Sequence, residues 1–455
     1  MPDPRPLPDG PLHFVGIGGA GMSALAFVLA SRGHLVSGSD PGIQAATRER
    51  LESAGCTIAS GPHAAENVPA EVVAVIVTDA VKGENPEVTE AERRGIPIFK
   101  RPEALGSVVN AAKISVCVAG THGKTTTTGM VASILVHAGL NPTVLIGGDL
   151  PLIGGNAQSG DPDLVVAEAC EAYGGLDWLK PSLSLILNAE PDHLDFHGSE
   201  ENFYAAFRRF IKNSQQAICC TDIALSVARN IIGNKWGHTG SYGFAGGVWS
   251  PDEEGTDFRL LGYSSEEEIA EVHLQVPGRH NVLNALGAAA VAEALDGIPI
   301  DFVVQGLESF TGTGRRFERL GETANGVLVI DDYAHHPTEI RATLQGARQA
   351  YPNSRLVAIF QPHLPSRTND FLEQFADALA NGGAYAVYLT DIYLAREPKQ
   401  EGLIELLAGK VPGASLIADR FALPERLKAE LQPGDVAIFM GAGNIREQAE
   451  AFLAL

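Results

Sequence analysis

One stretch constrains this chain more than any other: Val116-Cys117-Val118-Ala119-Gly120-Thr121-His122-Gly123-Lys124-Thr125-Thr126-Thr127-Thr128. An apolar, β-branched run stops at a glycine turn carrying Gly-Lys-Thr. A helix-forming segment follows from Thr126 to about His137 and is stopped by Gly139. Strand, glycine turn and helix in that order build a cradle for nucleotide phosphates. Backbone N–H groups point inward, the helix N-terminus adds positive potential, Lys124 reaches the outer phosphates, and Thr125 offers a hydroxyl to Mg²⁺. Val118 stands where the usual loop has its first glycine. The expected ATP binders are therefore Gly120, Thr121, His122, Gly123, Lys124, Thr125 and Thr126. A plain glycine-rich turn is the competing reading.

A second glycine loop lies about a hundred residues earlier. Leu12-His13-Phe14-Val15 runs into Gly16-Ile17-Gly18-Gly19-Ala20-Gly21, and a helical pattern continues through Ala30. A short strand at Leu35 to Ser37 leads to Gly38-Ser39-Asp40, which puts Asp40 at the right distance to meet a ribose hydroxyl. Alone, this pattern fits a nicotinamide oxidoreductase. It shows that a strand-to-helix turn approaches a pyrophosphate, and it does not name the nucleoside. Beside a separate ATP loop, a nucleoside diphosphate that forms part of the substrate is equally compatible.

A chain of 455 residues is too long for one core. Three α/β blocks can be read, giving expected domains at 1–107, 108–312 and 313–455. The fold class is α/β: an N-terminal Rossmann-like domain, a central P-loop ATPase-like parallel sheet with a β-rich insert around Trp236 to His273, and a C-terminal Rossmann-like domain. Strands of the third block are expected at Val327 to Ile330, Leu356 to Phe360, Ala384 to Leu389 and Val436 to Met440. Ligands of such parallel sheets sit at the carboxyl ends of the strands. The formal charge of −22 argues against nucleic acid or an anionic membrane as partner. No apolar run is long enough to cross a bilayer, and the start is unlike a signal peptide. The five cysteines show no paired metal-site spacing and fit a reducing, cytoplasmic setting.

Acids and imidazoles gather at the strand ends. Leu164-Val165-Val166-Ala167-Glu168 places a carboxylate where a Walker-B-like acid would pair with Thr125 around Mg²⁺, with Glu171 a substrate contact or a surface acid. The strand Leu183 to Leu187 ends in Asn188-Ala189-Glu190-Pro191-Asp192-His193-Leu194-Asp195, where His193 is a candidate ligand for a second divalent ion. Ser199 caps the next helix, and Glu200, Glu201, Arg208 and Arg209 complement its dipole. In the third block, Arg315 and Arg316 follow the linker Thr311-Gly312-Thr313-Gly314 and suit a clamp on a γ-phosphate. Asp331-Asp332-Tyr333-Ala334-His335-His336-Pro337 exceeds what a turn needs, and Pro337 marks a helix start. Adjacent histidines diverge, so zinc is not expected there. Gln361-Pro362-His363-Leu364-Pro365-Ser366-Arg367 offers His363 and Arg367 as carboxylate or phosphate binders.

Together these segments resemble the Mur ligases of bacterial cell-wall synthesis over nearly the whole chain. The marks are Gly16 to Met22, Gly120 to Thr126, Glu168 to Glu171, Asp192 to Asp195, Gly278 to Asn284, Gly314 to Phe317, Asp331 to Glu339 and Phe360 to His363. The resemblance implies ATP-dependent amide-bond formation between UDP-N-acetylmuramic acid and L-alanine, through an acyl phosphate, with one or two Mg²⁺ ions. It implies that Gly16, Gly18, Gly19, Ala20, Gly21, Met22, Ser39 and Asp40 hold the UDP-sugar. His280, Asn281, Asn284, Arg316 and Asp332 join the ATP contacts. Lys124, Glu168, His193, Arg316, His335 and Arg367 carry the chemistry, while Glu171, Tyr333, His363 and Arg367 meet the amino acid or substrate. The expected assembly is a monomer or homodimer. The arginine and tyrosine that often follow the histidine of the Phe-Gln-Pro-His motif are replaced by Leu364 and Pro365. Arg208 falls near the place where some relatives carry a carbamylated lysine, so no such modification is expected. The nearest rival reading is a peptide-recycling ligase that joins a tripeptide to the same nucleotide sugar. More distant ones are the nicotinamide enzyme and a non-catalytic nucleotide sensor.

Overall fold

Two fully apolar strands, Leu356–Phe360 and Val436–Met440, fall on the residues expected, because parallel strands covered on both faces read as unbroken hydrophobic runs. The computed structural model describes residues 5–78, 81, 84–220, 239–242, 249–251, 255–261, 268–395 and 397–455. Two compact units emerge, Met1–Gly247 with Leu260–Ala270 and Leu283–Phe310, and Val248–Arg259 with Glu271–Val282 and Thr311–Leu455.

The first unit contains two sheets. A five-stranded parallel sheet has the order Thr57–Ala59, Val36–Ser39, Leu12–Val15, Ala74–Val77, Ile98–Lys100. A seven-stranded sheet runs Thr239–Tyr242, Gln216–Cys220, Leu183–Ile186, Ile114–Ala119, Asp161–Ala169, Pro142–Leu150, Gly155–Gln158, and only the last strand is antiparallel. Ile114–Ala119 is central, with Val116 to Ala119 wholly buried. Its helix, Lys124–His137, is buried nearly all round, which overrides the weak helix propensity of its threonine run. It begins at Lys124, two residues before the expected start, because Gly123 takes a left-handed conformation and turns the chain directly into the helix.

These two sheets share one unit for visible reasons. The guanidinium of Arg32 donates to Thr143 Oγ1 at 3.0 Å, and Arg50 lies over the Phe27 ring and donates to the Ala157 carbonyl. Asn156 donates to Ala20 O and Ser23 Oγ, at 2.8 and 3.0 Å.

The second unit carries a six-stranded sheet ordered Glu318–Glu322, Leu328–Asp332, Val436–Met440, Leu356–Phe360, Ala386–Thr390, Ser415–Ile417, antiparallel only at its first strand. Both faces are covered, one by a cluster including Ile340, Leu344, Phe360 and Phe375, the other by Val329, Ile359, Phe439 and Phe452. The insert is β-rich where it is described. Trp249–Pro251 pairs antiparallel with Thr256–Leu261, and Glu268–Leu274 completes that sheet. Trp236, its expected start, lies outside the described residues.

Candidate active site

In the first unit the phosphate loop is shaped by backbone geometry that only glycine adopts easily. Gly120 has φ +149° and Gly123 φ +81°. A Cβ on Gly123 would stand 2.6 Å from Asn284 Oδ1, which places that predicted nucleotide contact against the loop. Asn188 grips the loop through both ends of its amide, accepting from His122 N at 2.8 Å and donating to His122 O at 3.0 Å. Thr121 Oγ1 donates to Glu190 O and accepts from Glu190 N. Asn188 was legible only as part of a polar strand tip, because its partners lie 66 residues away in sequence.

Lys124 is held by four oxygens: Gly120 O at 2.6 Å, Thr121 O at 3.0 Å, and Glu171 Oε2 and Oε1 at 2.9 and 3.2 Å. Burial alone would discharge it, but the carboxylates of Glu171 and Glu168 outweigh burial and raise its pKa. Glu171, read as substrate contact or surface acid, is a buried partner of Lys124. Val118 and Glu168 are cross-strand neighbours in parallel register. Glu168 Oε2 therefore lies 2.9 Å from Thr125 Oγ1 and also accepts from Gly147 N at 2.9 Å. A hydroxyl and a carboxylate side by side form an oxygen donor set suited to a hard cation.

His193 has φ +52°, its N–H donates to Asp192 Oδ1 at 2.7 Å, and its ring lies 5.9 Å from that of Tyr173. Ser199 caps Glu200–Asn213 as expected. Arg209 serves another purpose than the dipole. It makes a forked pair with Asp177 at 2.8 and 3.0 Å and so ties the helix to the segment after Glu171. Arg208 turns to Glu201 on its own helix.

At the first glycine loop, Ser39 O accepts from Gly16 N and Ile17 N, at 2.8 and 3.1 Å. Asp40 Oδ2 accepts from Gly18 N at 3.0 Å, so this carboxylate fastens the loop before any ribose arrives. Gly19 precedes the helix Ala20–Ser31, on which Met22 is buried. The Ser39 hydroxyl is fully buried and turned inward to Glu87. Arg101 lies against Gly21, whose added Cβ would be 3.1 Å from Arg101 Cδ. Arg101 lies in no motif that marks it as a loop neighbour.

The second unit gathers its predicted residues at the carboxyl edge of the six-stranded sheet. Asp332 Oδ1 accepts from Ala334 N at 2.7 Å and Oδ2 from Phe317 N at 2.8 Å. Burial raises its pKa to about 6, against the pull of Arg316. The arginine pair splits. Arg315, at φ +60°, is committed to Asp331 and to Gly441 O. Arg316 lies over the Tyr333 ring, 4.9 Å from its centroid, and makes no ion pair among the described residues.

His335 and His336 diverge. His335 Nδ1 faces Tyr333 O at 2.9 Å, and burial lowers its pKa to about 3. His336 instead caps the helix Pro337–Ala350 in a capping box with Glu339. The His335 ring lies 6.1 Å from that of His363, which stacks on Tyr393 at 5.5 Å. Tyr393, absent from the expectations, belongs to this edge. Leu364 has φ +68° and opens the short helix Pro365–Asp370, which buries Arg367. The loop's atypical residues thus still form a turn, fastened by Ser366 to Glu397 at 2.6 Å. Asn281 donates to Pro277 O at 2.7 Å, and His280 folds against Gly278.

A parallel α/β framework, a phosphate loop with a buried lysine, and a strand-end acid facing the loop's threonine define a nucleoside-triphosphate-binding enzyme of the phosphate-loop kind. The chain belongs to the Mur ligase family. Residues 11–113 match the Mur ligase family catalytic domain, 118–292 the Mur ligase middle domain, and 315–443 the Mur ligase glutamate ligase domain. The UDP-N-acetylmuramate–L-alanine ligase of Geobacter sp. (strain M21) is 43% identical over 97% of this chain and 96% of its own. The UDP-N-acetylmuramate–alanine ligase structure from Thermotoga maritima superposes with a TM-score of 0.81 at 31% identity, covering 97% of both chains. A murein peptide ligase from Psychrobacter arcticus gives 0.72 at 25% identity, covering 98% of both. Family membership sets aside the nicotinamide reading of the first glycine loop.

Proposed function

We propose that this chain joins L-alanine to the lactyl carboxylate of UDP-N-acetylmuramic acid at the expense of ATP, in the cytoplasmic assembly of a peptidoglycan precursor. The observation that carries this reading is the buried Lys124, kept charged by Glu171 beside the Thr125–Glu168 pair. A buried cation lining a glycine-rich phosphate loop suits the neutralisation of phosphate charge.

The proposed division of labour follows the three α/β blocks. Residues 1–107 take the UDP-sugar through Gly16, Gly18 to Met22 and Asp40. Residues 108–312 take ATP through the phosphate loop and Asn284. Residues 313–455 close over ATP and the amino acid, with Arg316, Asp332, Tyr333, His335, His363 and Arg367 in contact, and His280 and Asn281 completing the nucleotide site. Thr125 and Glu168 would hold Mg²⁺, with His193 available for a second ion; the metal would neutralise charge on the γ-phosphoryl group.

The carboxylate oxygen attacks the γ-phosphorus in line, the bond to the ADP oxygen breaks, and an acyl phosphate forms. Lys124 then moves its hydrogen bonds from the loop carbonyls to the transferring oxygens, while Glu171 keeps it charged. The amine of L-alanine attacks the acyl carbon, phosphate leaves with the carbon–oxygen electron pair, and the proton lost by the amine ends on the departing phosphate. Arg316 offers a cation to the migrating charge, and the buried Arg367 suits the carboxylate of the incoming amino acid.

Phosphate release measured with L-alanine and with the tripeptide of the recycling ligases tests the reading. Turnover that requires the UDP-sugar and favours L-alanine supports it; faster turnover with the tripeptide replaces it by the recycling activity.

A further inference from the structure

A carboxylate with no exposure lies under the first glycine loop. Glu87 opens the helix Pro86–Arg94, whose N-cap Asn85 accepts from its N–H. Its oxygens collect donors from three separate segments. Oε2 accepts from Ser39 Oγ at 2.6 Å and faces His13 Nε2 at 3.2 Å, while Oε1 accepts from Asn67 Nδ2 at 2.7 Å and Ala64 N at 3.3 Å, with His63 Nδ1 also at 3.3 Å. Hydrogen bonds from His13, Ser39 and Asn67 outweigh the cost of burial and hold its pKa down at about 2, so it is ionised.

An ionised carboxylate only accepts, and this fixes the neighbouring hydrogens. The Ser39 hydroxyl hydrogen is committed to Glu87. Ser39 Oγ can then only accept from His63 Nδ1, which lies 2.8 Å away. His63 Nδ1 is therefore the donor, which in the neutral imidazole leaves Nε2 as the acceptor. That ring is about one-quarter exposed, with 24% of its side chain accessible, whereas His13 and Ser39 are sealed. Ser39 is also the residue whose carbonyl receives Gly16 N and Ile17 N, and it adjoins Asp40, which holds Gly18 N. One buried charge thus orients both the glycine loop's anchor and an imidazole at the carboxyl end of the second strand, where ligands of a parallel sheet lie.

We propose that His63 contacts the nucleoside end of the UDP-sugar through Nε2, and that Glu87 is the positioning residue that sets its tautomer and orientation through Ser39. This rests on the reading of the first glycine loop as the UDP-sugar site. The ligand group has hydrogen-bond donors, as the uracil imide and ribose hydroxyls do.

The test uses the full chain and calorimetric binding of UDP and of ATP. His63→Ala weakens UDP about tenfold and leaves ATP within about twofold, and Glu87→Gln does the same. The double variant is no weaker than either single one, because both act through one contact; a merely structural role for Glu87 would give additive losses. Asp40→Ala is the control for the loop. If it weakens UDP while His63→Ala does not, the assignment of His63 and Glu87 is overturned and the loop reading stands. If none of the three alters UDP binding, the loop reading falls as well. Should Glu87→Gln fail to fold, the partly exposed His63→Ala decides alone.

Discussion

Lys124 in this structure donates to the same loop that must later receive phosphate oxygens, so its charge is stored before the nucleotide arrives. Replacing it by alanine leaves Glu171 and Glu168 facing the phosphate site with no cation between them. Lys124→Ala is expected to reduce ligation about a thousandfold while UDP-sugar affinity stays within about twofold, since Asp40 and the first glycine loop make no use of it. Steady-state turnover beside UDP-sugar calorimetry checks both halves; near-normal turnover would remove Lys124 from the mechanism. A second residue-scale consequence concerns pH. Asp332, raised to about 6 by burial, takes up a proton in the folded chain before the unfolded one does, so it adds stability as pH falls from about 6 to 4. His335, lowered to about 3 by burial, does the opposite. The unfolded chain protonates it first, and stability is lost as pH falls below about 6.5. Between about pH 6 and 4 the two slopes oppose each other. Asp332→Asn removes one of them, so its unfolding free energy from urea titrations should fall more steeply than the parent's on acidification, by about 1.4 kcal/mol per pH unit. Parallel pH profiles for parent and variant would contradict this pairing.

The helix Lys124–His137 carries the phosphate loop and is itself carried by Ile300–Glu308, and the two touch where Gly306 meets Ile134. A Cβ on Gly306 would stand 2.7 Å from Ile134 N, against backbone that cannot move aside. Gly306→Ala should therefore cost about 1–3 kcal/mol and raise the KM for ATP, as the phosphate helix is pushed from its place. Gly409, in the helix Leu403–Lys410, meets nothing within 4 Å. Gly409→Ala should instead stabilise by about 0.4–1 kcal/mol. Thermal melts of both variants, with ATP kinetics for the first, distinguish a glycine needed for packing from one that is merely tolerated. This contrast marks how far elements can be read in a sequence. Buried parallel strands such as Val436–Met440 were legible because their signal is local and unbroken. The glycine loops and the strand-end acid were legible for the same reason, since strand, turn and helix follow one another along the chain. What escaped is non-local or chemically unspecific. Asn188 clamps a loop 66 residues away. His336 does a capping job that serine or aspartate usually does. Glu87 collects donors from segments that no spacing rule connects, and Tyr393 is one aromatic in an unpatterned loop until His363 stacks on it.

At the scale of the molecule, the sequence divides into three α/β blocks, yet the first and most of the second belong to one compact unit. Beside the packing of the helix Ala20–Ser31 on the strands Pro142–Leu150 and Gly155–Gln158, a seam of long polar side chains contributes to this. Arg32 and Asn156 reach across it in opposite directions, to Thr143 and to the first turn of Ala20–Ser31, and Arg50 occupies the space that a side chain at Gly155 would need. Each bond of this kind contributes about 0.5–1.5 kcal/mol, and the guanidinium bonds somewhat more. Their sum is comparable with the stability of a single domain, so the seam is strong enough to make two sheets unfold together. It also sits directly behind the first glycine loop, because Asn156 binds the carbonyl of Ala20. Removing it should therefore uncouple the sheets without touching either set of strands. The combined variant Arg32→Ala, Arg50→Ala, Asn156→Ala is expected to split the calorimetric unfolding of this unit into two transitions. The transition shifted by UDP would differ from the one shifted by ATP. In the parent, UDP and ATP should each move a single shared transition for that unit. If the triple variant still unfolds that unit in one step that both nucleotides shift, the coupling resides in the backbone connection and packing of the two sheets, and the polar seam is incidental to it.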